Sequence, residues 1–351
     1  MIDSLTLTLP DDWHAHLRDG ELLRAVLPAT AAHFGRAIAM PNLVAPVVTA
    51  ADGRAYRQRI LDALPPGAQF EPLIVGYLTD TTQKSDVLAG FAEGTFLGMK
   101  LYPAHATTHS AAGVSDIGAI TSVLEAMASV GMPLLVHAEV TDPDVDVFDR
   151  EAVFVDRVLA PLHERLPTLP VVLEHVTSTI GVAWVQSTSR KVAATITPHH
   201  LLWTRNALFA GGLRPHCWCL PVVKTAADRQ ALREAACSGD PRFFLGTDSA
   251  PHVVAHKERD GGAAGVFNAP TALSAYAMVF DEMGALPALE AFASQSGPAF
   301  YGLQPNPTTV TLTRQAWTAP STIGGVRVFL GGEQLPFTVQ RTTTVRPSPA
   351  R

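Results

Sequence analysis

The chain has 351 residues, of which 47% are hydrophobic and 17% are charged, a composition typical of a globular protein with a large core. Its net charge of −6 at pH 7 provides no basic footprint for nucleic-acid binding. No run of about 18 apolar residues predicts a membrane span, and the first residues lack the pattern of a signal peptide. We therefore expect a cytoplasmic protein that binds neither nucleic acid nor membrane.

Predicted strands and helices alternate along most of the chain. After a short edge strand at 4–9, predicted strands cover residues 12–17, 36–42, 71–78, 96–102, 133–137, 170–175, 192–197 and 242–247. Helical spacing of apolar residues is found at 21–32, 51–64, 84–93, 116–130, 149–166, 180–187, 225–237, 271–283 and 286–294. The strands are short and apolar throughout, which is typical of a parallel sheet covered on both faces.

About eight strand–helix units predict an α/β fold, a (β/α)8 TIM barrel with small N- and C-terminal β additions. A doubly wound open sheet is the alternative, but no Gly-x-Gly-x-x-Gly motif follows an early strand. We assign residues 1–351 to one domain, with a barrel core at about 10–303 and a C-terminal extension at 304–351. In the extension, residues 308–313 and 326–330 are β-like, and the polar segment after them is predicted to be mobile.

Two histidines in the first core strand, His14 and His16, are separated by one residue. Side chains alternate with period 2 in a strand, so both imidazoles point to the same face. Neutral imidazole is a common zinc ligand, and Arg18 on the same face suits a carboxylate. For this pair alone, two packed or surface histidines are an equally good interpretation.

Polar residues close most of the predicted strands. They are His14, His16, Arg18, Asn42, Lys100, His137, His175 and Asp248. In a (β/α)8 barrel, the C-terminal ends of the strands meet at one mouth, where active sites are found. A structural hydrogen bond or a helix cap explains each residue singly, but not four histidines, one lysine and one aspartate together.

The number of candidate ligands indicates two metal ions. Four imidazoles and one carboxylate are too many for one catalytic zinc that keeps a water position. Two ions need a bridging group, for which Lys100 is the candidate. Two neighbouring cations would lower the pKa of its amine, and a neutral amine can add CO2 to form a carbamate. A solvated or ion-paired lysine at the barrel rim is the alternative.

Together these motifs resemble the dihydroorotases of the shorter bacterial type, within the amidohydrolase superfamily of metal-dependent (β/α)8 barrels. The resemblance extends over about residues 10–303. It rests on DDWHAHLRDG (11–20), MPNL (40–43), KLYPA (100–104), PLLVH (133–137), EH (174–175), ATITPHHL (194–201), CLP (219–221), LGTDSAPH (245–252) and FNAPTAL (267–273). Several long motifs in the right order make this signal stronger than His-x-His alone.

The resemblance implies the reversible cyclisation of N-carbamoyl-L-aspartate to L-dihydroorotate and water, the third step of de novo UMP biosynthesis. It implies two Zn²⁺ ions per chain, one held by His14, His16 and Asp248 and the other by His137 and His175. Lys100, as N6-carboxylysine, and a hydroxide would bridge the ions, and Asp248 would act as general base and then acid. It also implies a homodimer.

The same resemblance implies the substrate contacts. These involve His16, Arg18, Asn42, His137, Leu220, His252 and Ala264. Arg18, Asn42 and His252 would bind the substrate carboxylate, while the backbone at Leu220 and Ala264 would bind the ring amide edges. Thr107 and Thr108 match a flexible loop, residues 103–110, that closes over the substrate.

The sequence departs from the family pattern in two places. His105 and His109 stand where asparagines flank the threonine pair, and the loop at 261–266 lacks cysteines. Two other functions are compatible with the barrel. A hydantoinase or dihydropyrimidinase would share the metal ligands without needing the anion pocket, and a non-catalytic scaffold should have lost ligands that this chain retains.

Overall fold

The computed structural model describes residues 2–342. Its strands are β1 (Ser4–Thr8), β2 (Asp12–Ala15), β3 (Arg36–Ala39), β4 (Glu71–Tyr77), β5 (Gly98–Leu101), β6 (Leu134–Val136), β7 (Val171–Leu173), β8 (Val192–Ile196), β9 (Phe243–Leu245), β10 (Thr309–Thr318), β11 (Thr322–Ile323), β12 (Val326–Arg327) and β13 (Gln334–Thr342). Its α-helices are α1 (Gly20–His33), α2 (Ala50–Asp62), α3 (Lys84–Ala92), α4 (Thr121–Val130), α5 (Arg150–Phe154), α6 (Ala160–Arg165), α7 (Thr179–Ser187), α8 (Pro198–Leu202), α9 (Ala226–Cys237), α10 (Val254–Lys257), α11 (Ala272–Glu282) and α12 (Ser296–Tyr301). Short 3-10 helices occur at Arg205–Leu208, Pro215–Cys217 and Leu286–Ala288, and π-helical turns at Val155–Leu159 and Ala291–Gln295.

Strands β2 to β9 form one eight-stranded parallel sheet in sequential order. Two hydrogen bonds join its outer strands just beyond β2 and β9. Asp248 N donates to His14 O over 2.9 Å, and His16 N donates to Ser249 O over 3.0 Å. The sheet is therefore a nearly closed barrel, and the predicted (β/α)8 fold is confirmed.

Side chains along the barrel strands alternate between two cores. In β6, Leu135 belongs to a cluster inside the barrel, whereas Leu134 and Val136 pack in the outer cluster beneath the helices. The interior cluster comprises Trp13, Ile38, Met40, Val75, Leu135, Val172, Ala193 and Phe244. Because both faces are buried, the strands are apolar throughout.

Capping side chains set where several helices begin. Thr49 and Asp52 form a capping box at the start of α2, and Thr225 and Asp228 form another at α9. In each box, two side chains satisfy backbone N–H groups that the first helical turn leaves unpaired. Each box therefore fixes the residue at which its helix begins.

Three predicted helices differ from those observed. The one predicted at 286–294 contains the 3-10 helix Leu286–Ala288 and the beginning of the π-helical turn Ala291–Gln295. The predicted helix at 116–130 begins only at Thr121, because Asp116 accepts a hydrogen bond from the Gly118 N–H and forms a local turn. The predicted helix at 149–166 contains the π-helical turn Val155–Leu159. Pro161, which lacks an N–H to donate, lies in the first turn of α6 directly after it.

The chain ends meet in a three-stranded antiparallel sheet of order β1–β10–β13. The prediction of a mobile segment after residue 330 was wrong for Gln334–Thr342, which forms β13. In β13, Leu335 and Phe337 are buried, and the Ser274 hydroxyl of α11 donates to Phe337 O over 2.8 Å. This packing stabilises the strand, while residues 343–351 of the predicted extension lie outside the described residues.

The single-domain assignment of residues 1–351 stays a prediction. Among the described residues, no helix is long and apolar enough to cross a membrane.

Candidate active site

The C-terminal ends of the barrel strands surround a cavity, at the end of the barrel where (β/α)8 enzymes carry their active sites. It is lined by His16, Arg18, Asn42, Tyr102, Thr107, Thr108, His137, His175, Leu220, Asp248, Ala250, Ala264 and Gly265. Three other predicted residues contact this wall. His14 touches Asp248, Lys100 lies 4.7 Å from the Tyr102 ring centre, and His252 contacts Arg18. All the predicted site residues therefore lie at one mouth.

A local irregularity in β2 places the two histidines of the His-x-His motif. The register of β2 against β3 shifts between Asp12 and Ala15. Because of this shift, Trp13 packs in the barrel interior while His14, the next residue, also faces the mouth. The Nε2 atoms of His14 and His16 lie 3.3 Å apart, so both imidazoles point to the same place.

Three ligand atoms converge at this place. Asp248 Oδ1 lies 3.3 Å from His14 Nε2 and 3.1 Å from His16 Nε2. Ligands about 2.0–2.1 Å from a tetrahedral zinc are themselves about 3.3 Å apart. The separations of these three atoms therefore fit a metal ion without rearrangement, which supports the first predicted ligand set.

The protonation states of these residues also suit a cation. Burial lowers the pKa of His14, and it lowers the pKa of His16 to about 3, which leaves both rings neutral. Burial raises the pKa of Asp248, but hydrogen bonds with His14 and His16 outweigh it and hold the pKa well below its usual value. Neutral imidazoles and an ionised carboxylate are the forms that bind zinc.

Lys100 is fully buried and its ammonium contacts the Glu174 carboxylate. The alternative of a solvated lysine at the rim is therefore wrong, whereas an ion pair is present for the unmodified side chain. Burial lowers the pKa of the Lys100 amine well below its usual value, although the charge of Asp248 opposes it. A neutral amine at this position is the form that can add CO2.

Two further histidines face each other beside this lysine. The rings of His137 and His175 are 4.9 Å apart, and the His175 ring is also 4.9 Å from that of His14. His175 Nδ1 is buried without a hydrogen-bond partner in the described part of the chain. His137 Nε2 and Glu139 Oε2 lie 2.7 Å apart, a carboxylate–histidine contact of the kind that orients metal ligands. These buried rings are groups that can bind a metal ion.

The motif EH (174–175) did not show that Glu174 lies among the candidate metal ligands. Its alternation with Val172 directs it into the barrel, where its Oε1 lies 2.9 Å from His14 Nδ1, although their angles do not suit a hydrogen bond. His175, the next residue, reaches the same mouth because its φ of 43° breaks the strand alternation. The alternation of side chains along a strand predicts that Glu174 points inward, but it does not predict that His175 reaches the mouth as well.

Arg18, in contact with His252, forms one wall of the cavity and supplies its positive charge. Arg18 Nη2 lies 3.0 Å from His252 Nε2, and Arg18 Nε donates to Pro251 O over 3.1 Å. Burial, with the nearby charge of Arg18, lowers the pKa of His252 to about 2, so its ring is neutral and its Nε2 can accept a hydrogen bond from Arg18. Within residues 2–342, no carboxylate forms an ion pair with this 9%-exposed guanidinium. A buried unpaired cation is costly, which indicates an anion-binding pocket.

The loop at residues 103–110 lies against Asn42. The Asn42 side chain donates to Thr108 O over 2.9 Å, and His109 Nδ1 lies 3.3 Å from Asn42 O. His105 and His109 have φ values of 67° and 56°, in the left-handed region that asparagine tolerates better than other side chains. Asparagine would suit both positions, and histidine adopts the left-handed conformation at them here.

Sequence reasoning missed the buried carboxylate that holds the ends of the barrel seam together. Asp12 accepts hydrogen bonds from Thr247 N over 2.8 Å, Thr247 Oγ1 over 2.5 Å and His14 N over 3.1 Å. Asp12 thereby orients the residues on either side of the first ligand set. Asp12 could have been noticed because it belongs to the motif DDWHAHLRDG, but the motif does not indicate that its partner is Thr247.

This barrel and its converging ligands define a metal-dependent hydrolase of the amidohydrolase class. A profile of the Amidohydrolase family matches residues 9–317. The dihydroorotase of Sphingopyxis alaskensis is 57% identical over 335 residues, which cover 95% of this chain and 98% of that protein.

Two solved dihydroorotase structures are similar to this chain over nearly its whole length. The dihydroorotase of Saccharomyces cerevisiae in complex with 5-fluoroorotic acid is 30% identical, with a TM-score of 0.90, and covers 98% of this chain and 100% of its own. That of Campylobacter jejuni is 34% identical, with a TM-score of 0.87 and coverage of 97% and 98%. The chain belongs to the dihydroorotases, within the amidohydrolase superfamily. It is therefore a metal-dependent cyclic amide hydrolase.

Proposed function

We propose that the chain catalyses the reversible cyclisation of N-carbamoyl-L-aspartate to L-dihydroorotate and water in pyrimidine biosynthesis. The observation that carries this proposal is the buried Arg18 guanidinium without an acidic partner in the described chain, beside the converging ligands. An enzyme for uncharged cyclic amides has no need of a buried cation at this position. A substrate that carries a carboxylate supplies the missing anion.

We propose two zinc ions as the cofactor. His14, His16 and Asp248 would hold one ion, His137 and His175 the other, and Lys100 as a carbamate would bridge them. Bound zinc lowers the pKa of a coordinated water toward about 7 and polarises the amide carbonyl. The separations of 3.1–3.3 Å among the first three ligand atoms support this assignment. The burial of Lys100 supports its modification.

Asp248 is the proposed general base and acid. Its carboxylate is ionised and borders the cavity, so it can accept a proton from the attacking water. It then donates that proton to the ring nitrogen as the amide C–N bond breaks. In the direction of ring closure, the same carboxylate accepts a proton from the carbamoyl nitrogen as the C–N bond forms. It passes that proton to the departing carboxylate oxygen, which leaves as water with a second proton from solvent.

The remaining cavity residues would position the substrate. Arg18, Asn42 and His252 would bind its carboxylate, and the backbone of Leu220 and Ala264 would bind the amide edges of its ring. His16 and His137 border the same space. Thr107 and Thr108 already line the cavity, which supports a loop that closes over the substrate.

Hydrolysis of dihydroorotate tests the proposal, with hydantoin and dihydrouracil as comparison substrates. We expect selective turnover of dihydroorotate by protein that contains about two metals per chain. Preferred turnover of hydantoin or dihydrouracil would assign the site to another cyclic amide. Protein that stays inactive after reconstitution with zinc and bicarbonate would contradict the enzymatic proposal altogether.

Replacing Asp248 with asparagine tests the proton transfer. Asparagine keeps one oxygen but not the basicity, so we expect kcat to fall by at least about 100-fold. The control is Asp240→Asn, which should leave kcat unchanged. Asp240 precedes the first residue of β9, at the end of the strand away from the cavity, and pairs with Arg242. Metal analysis of both variants separates a lost proton acceptor from a lost ion. Near-full kcat in Asp248→Asn would remove the acid–base role.

We also propose that residues 1–351 act as one domain, that two chains form a homodimer, and that the enzyme works in the cytoplasm. Light scattering on the purified protein measures the mass in solution and tests the dimer. Fractionation of the source cells, with dihydroorotate turnover as the marker, tests the location.

A further inference from the structure

Lys257, the last residue of α10, is 3% exposed although lysine is rarely buried. It does not line the cavity but lies behind its wall, against a segment that does, because its ammonium contacts Gly265. Burying an ammonium is costly unless its protons find acceptors. Its contacts therefore indicate what this residue does for the molecule.

The Lys257 ammonium joins two loops. Its Nζ donates to Trp218 O over 2.8 Å and to Gly265 O over 2.7 Å. The Gly265 N–H also donates to Trp218 O, over 2.9 Å. These three hydrogen bonds hold the loop that follows Pro215–Cys217 against the loop that follows α10.

Both joined loops reach the cavity one or two residues further along. Leu220 follows Trp218 by two residues and Ala264 precedes Gly265, and both line the cavity. Within residues 2–342, neither the Leu220 N–H nor the Ala264 N–H has a hydrogen-bond acceptor. Unpaired N–H groups at a cavity wall are donors that a ligand can use.

The backbone at Gly265 cannot easily yield to a change in this contact. Its φ is 147°, and a Cβ at this position would lie 2.6 Å from Ala250 O. The loop that contains Gly265 is therefore closely packed against Ala250. Its distance from the Trp218 loop depends on the hydrogen bonds that connect the two.

We propose that Lys257 is a positioning residue, which sets the spacing of the Leu220 and Ala264 backbone groups that bind the ring amide edges of the substrate. The inference rests on the proposed function, because it assigns the two backbone groups to dihydroorotate. Lys257 touches no substrate itself. Its loss should weaken binding of the ring in the ground state and the transition state alike, and so raise KM more than it lowers kcat.

The test is the variant Lys257→Met, which keeps the length of the side chain and removes its donors. Misplacing two hydrogen bonds of ordinary strength should raise KM for dihydroorotate about tenfold, with kcat within about twofold of wild type. Metal content should stay unchanged. Lys257→Arg, which retains donors for both carbonyls, should bring KM back to within about threefold of wild type.

Lys191→Met is the matched control. Lys191 Nζ also donates to a backbone carbonyl, Thr168 O over 3.2 Å, but it lies just before β8, at the opposite end of the barrel. This variant should leave both KM and kcat unchanged. A loss of activity common to both methionine variants would indicate a general effect of removing a lysine and would overturn the inference.

The possible outcomes separate this inference from the proposed function. A wild-type protein that does not hydrolyse dihydroorotate overturns both. An active wild type with an unchanged KM in folded Lys257→Met overturns only the role of Lys257. If neither Lys257 variant folds, Lys257 serves folding rather than substrate positioning, and the inference is again overturned.

Discussion

Three cavity residues have backbone conformations that their side chains ordinarily avoid. Arg18, His175 and Asp248 have φ values of 63°, 43° and 45°, in the left-handed region that favours glycine. Each such residue costs of order 1–3 kcal/mol. The surrounding barrel bears this cost. For His175 the gain is direct, because strand alternation from the inward Val172 would turn its side chain away from the cavity that it lines.

The role of Arg18 can be tested by its replacement with methionine. This change removes the cation but keeps much of the apolar side chain, so we expect KM for dihydroorotate to rise by about tenfold or more. Arg54, which is exposed and pairs with the exposed Glu93, provides the control Arg54→Met. Metal content should not change in either variant. Unchanged kinetics in Arg18→Met would remove Arg18 from the substrate site.

The buried Lys257 predicts a dependence of stability on pH. Burial lowers its pKa from 10.5 to about 8 in the folded protein. Between about pH 8 and 10.5 the unfolded chain binds the proton and the folded chain does not, so stability rises with pH. Relative to Lys257→Met, the wild type should gain at most about 3 kcal/mol over this interval.

Thermal unfolding of both proteins from pH 7 to pH 10.5, at constant zinc, measures this difference. The midpoint of the wild type should rise by a few degrees relative to that of the variant. A difference that stays constant across the interval would show that the ammonium has an ordinary pKa in the folded protein.

At the scale of single elements, the loop at residues 103–110 is held by Asn42 as well as by its own hydrogen bonds. Asn42 donates to Thr108 O, while within the loop Ser110 Oγ donates to Thr107 O over 2.6 Å. Asn42 is also a proposed ligand of the substrate carboxylate. If that role holds, the same amide would connect the position of this loop with substrate binding.

Replacing Asn42 with alanine should loosen this loop. Loss of one hydrogen bond of about 1 kcal/mol should raise the exchange rate of the loop amides about fivefold in hydrogen–deuterium exchange. Asn306→Ala is the control, because the Asn306 side chain donates to Leu9 O over 2.8 Å, far from the loop in sequence. Unchanged exchange in Asn42→Ala would mean that the bonds within the loop are sufficient to hold it.

At the scale of the whole molecule, the N- and C-terminal strands stabilise each other. β10 pairs with both β1 and β13, so removing the C-terminal strands would expose the edge of β1. It would also uncover Leu7, which is fully buried. These contacts link the chain ends to the barrel between them.

A chain that ends at residue 303 should therefore be insoluble or unfold at least about 10 °C below a chain that ends at residue 342, because several buried side chains lose their packing. Thermal unfolding and the soluble yield of the two chains measure the difference. Equal midpoints would show that the terminal sheet is not part of the same cooperative unit, and would contradict the single-domain proposal.

The barrel itself could be predicted from the sequence, because its physical cause is local. Short apolar strands followed by amphipathic helices favour a parallel sheet covered by helices, and about eight such units favour a closed barrel over an open sheet. The same order of elements predicted that His14, Lys100, His137 and Asp248 share a mouth, because parallel strands all end at one edge. Motif resemblance then indicated the reaction class that the comparisons support.

What required the tertiary structure depends on contacts between residues far apart in sequence. The inward turn of His175, the contact of Glu174 with Lys100, and the buried Lys257 between two loops follow no period along the chain. β13 was missed for the same reason, because the partners that bury Leu335 and Phe337 come from other elements. Sequence alone determined which groups could react, whereas packing of distant segments decided their spacing and protonation.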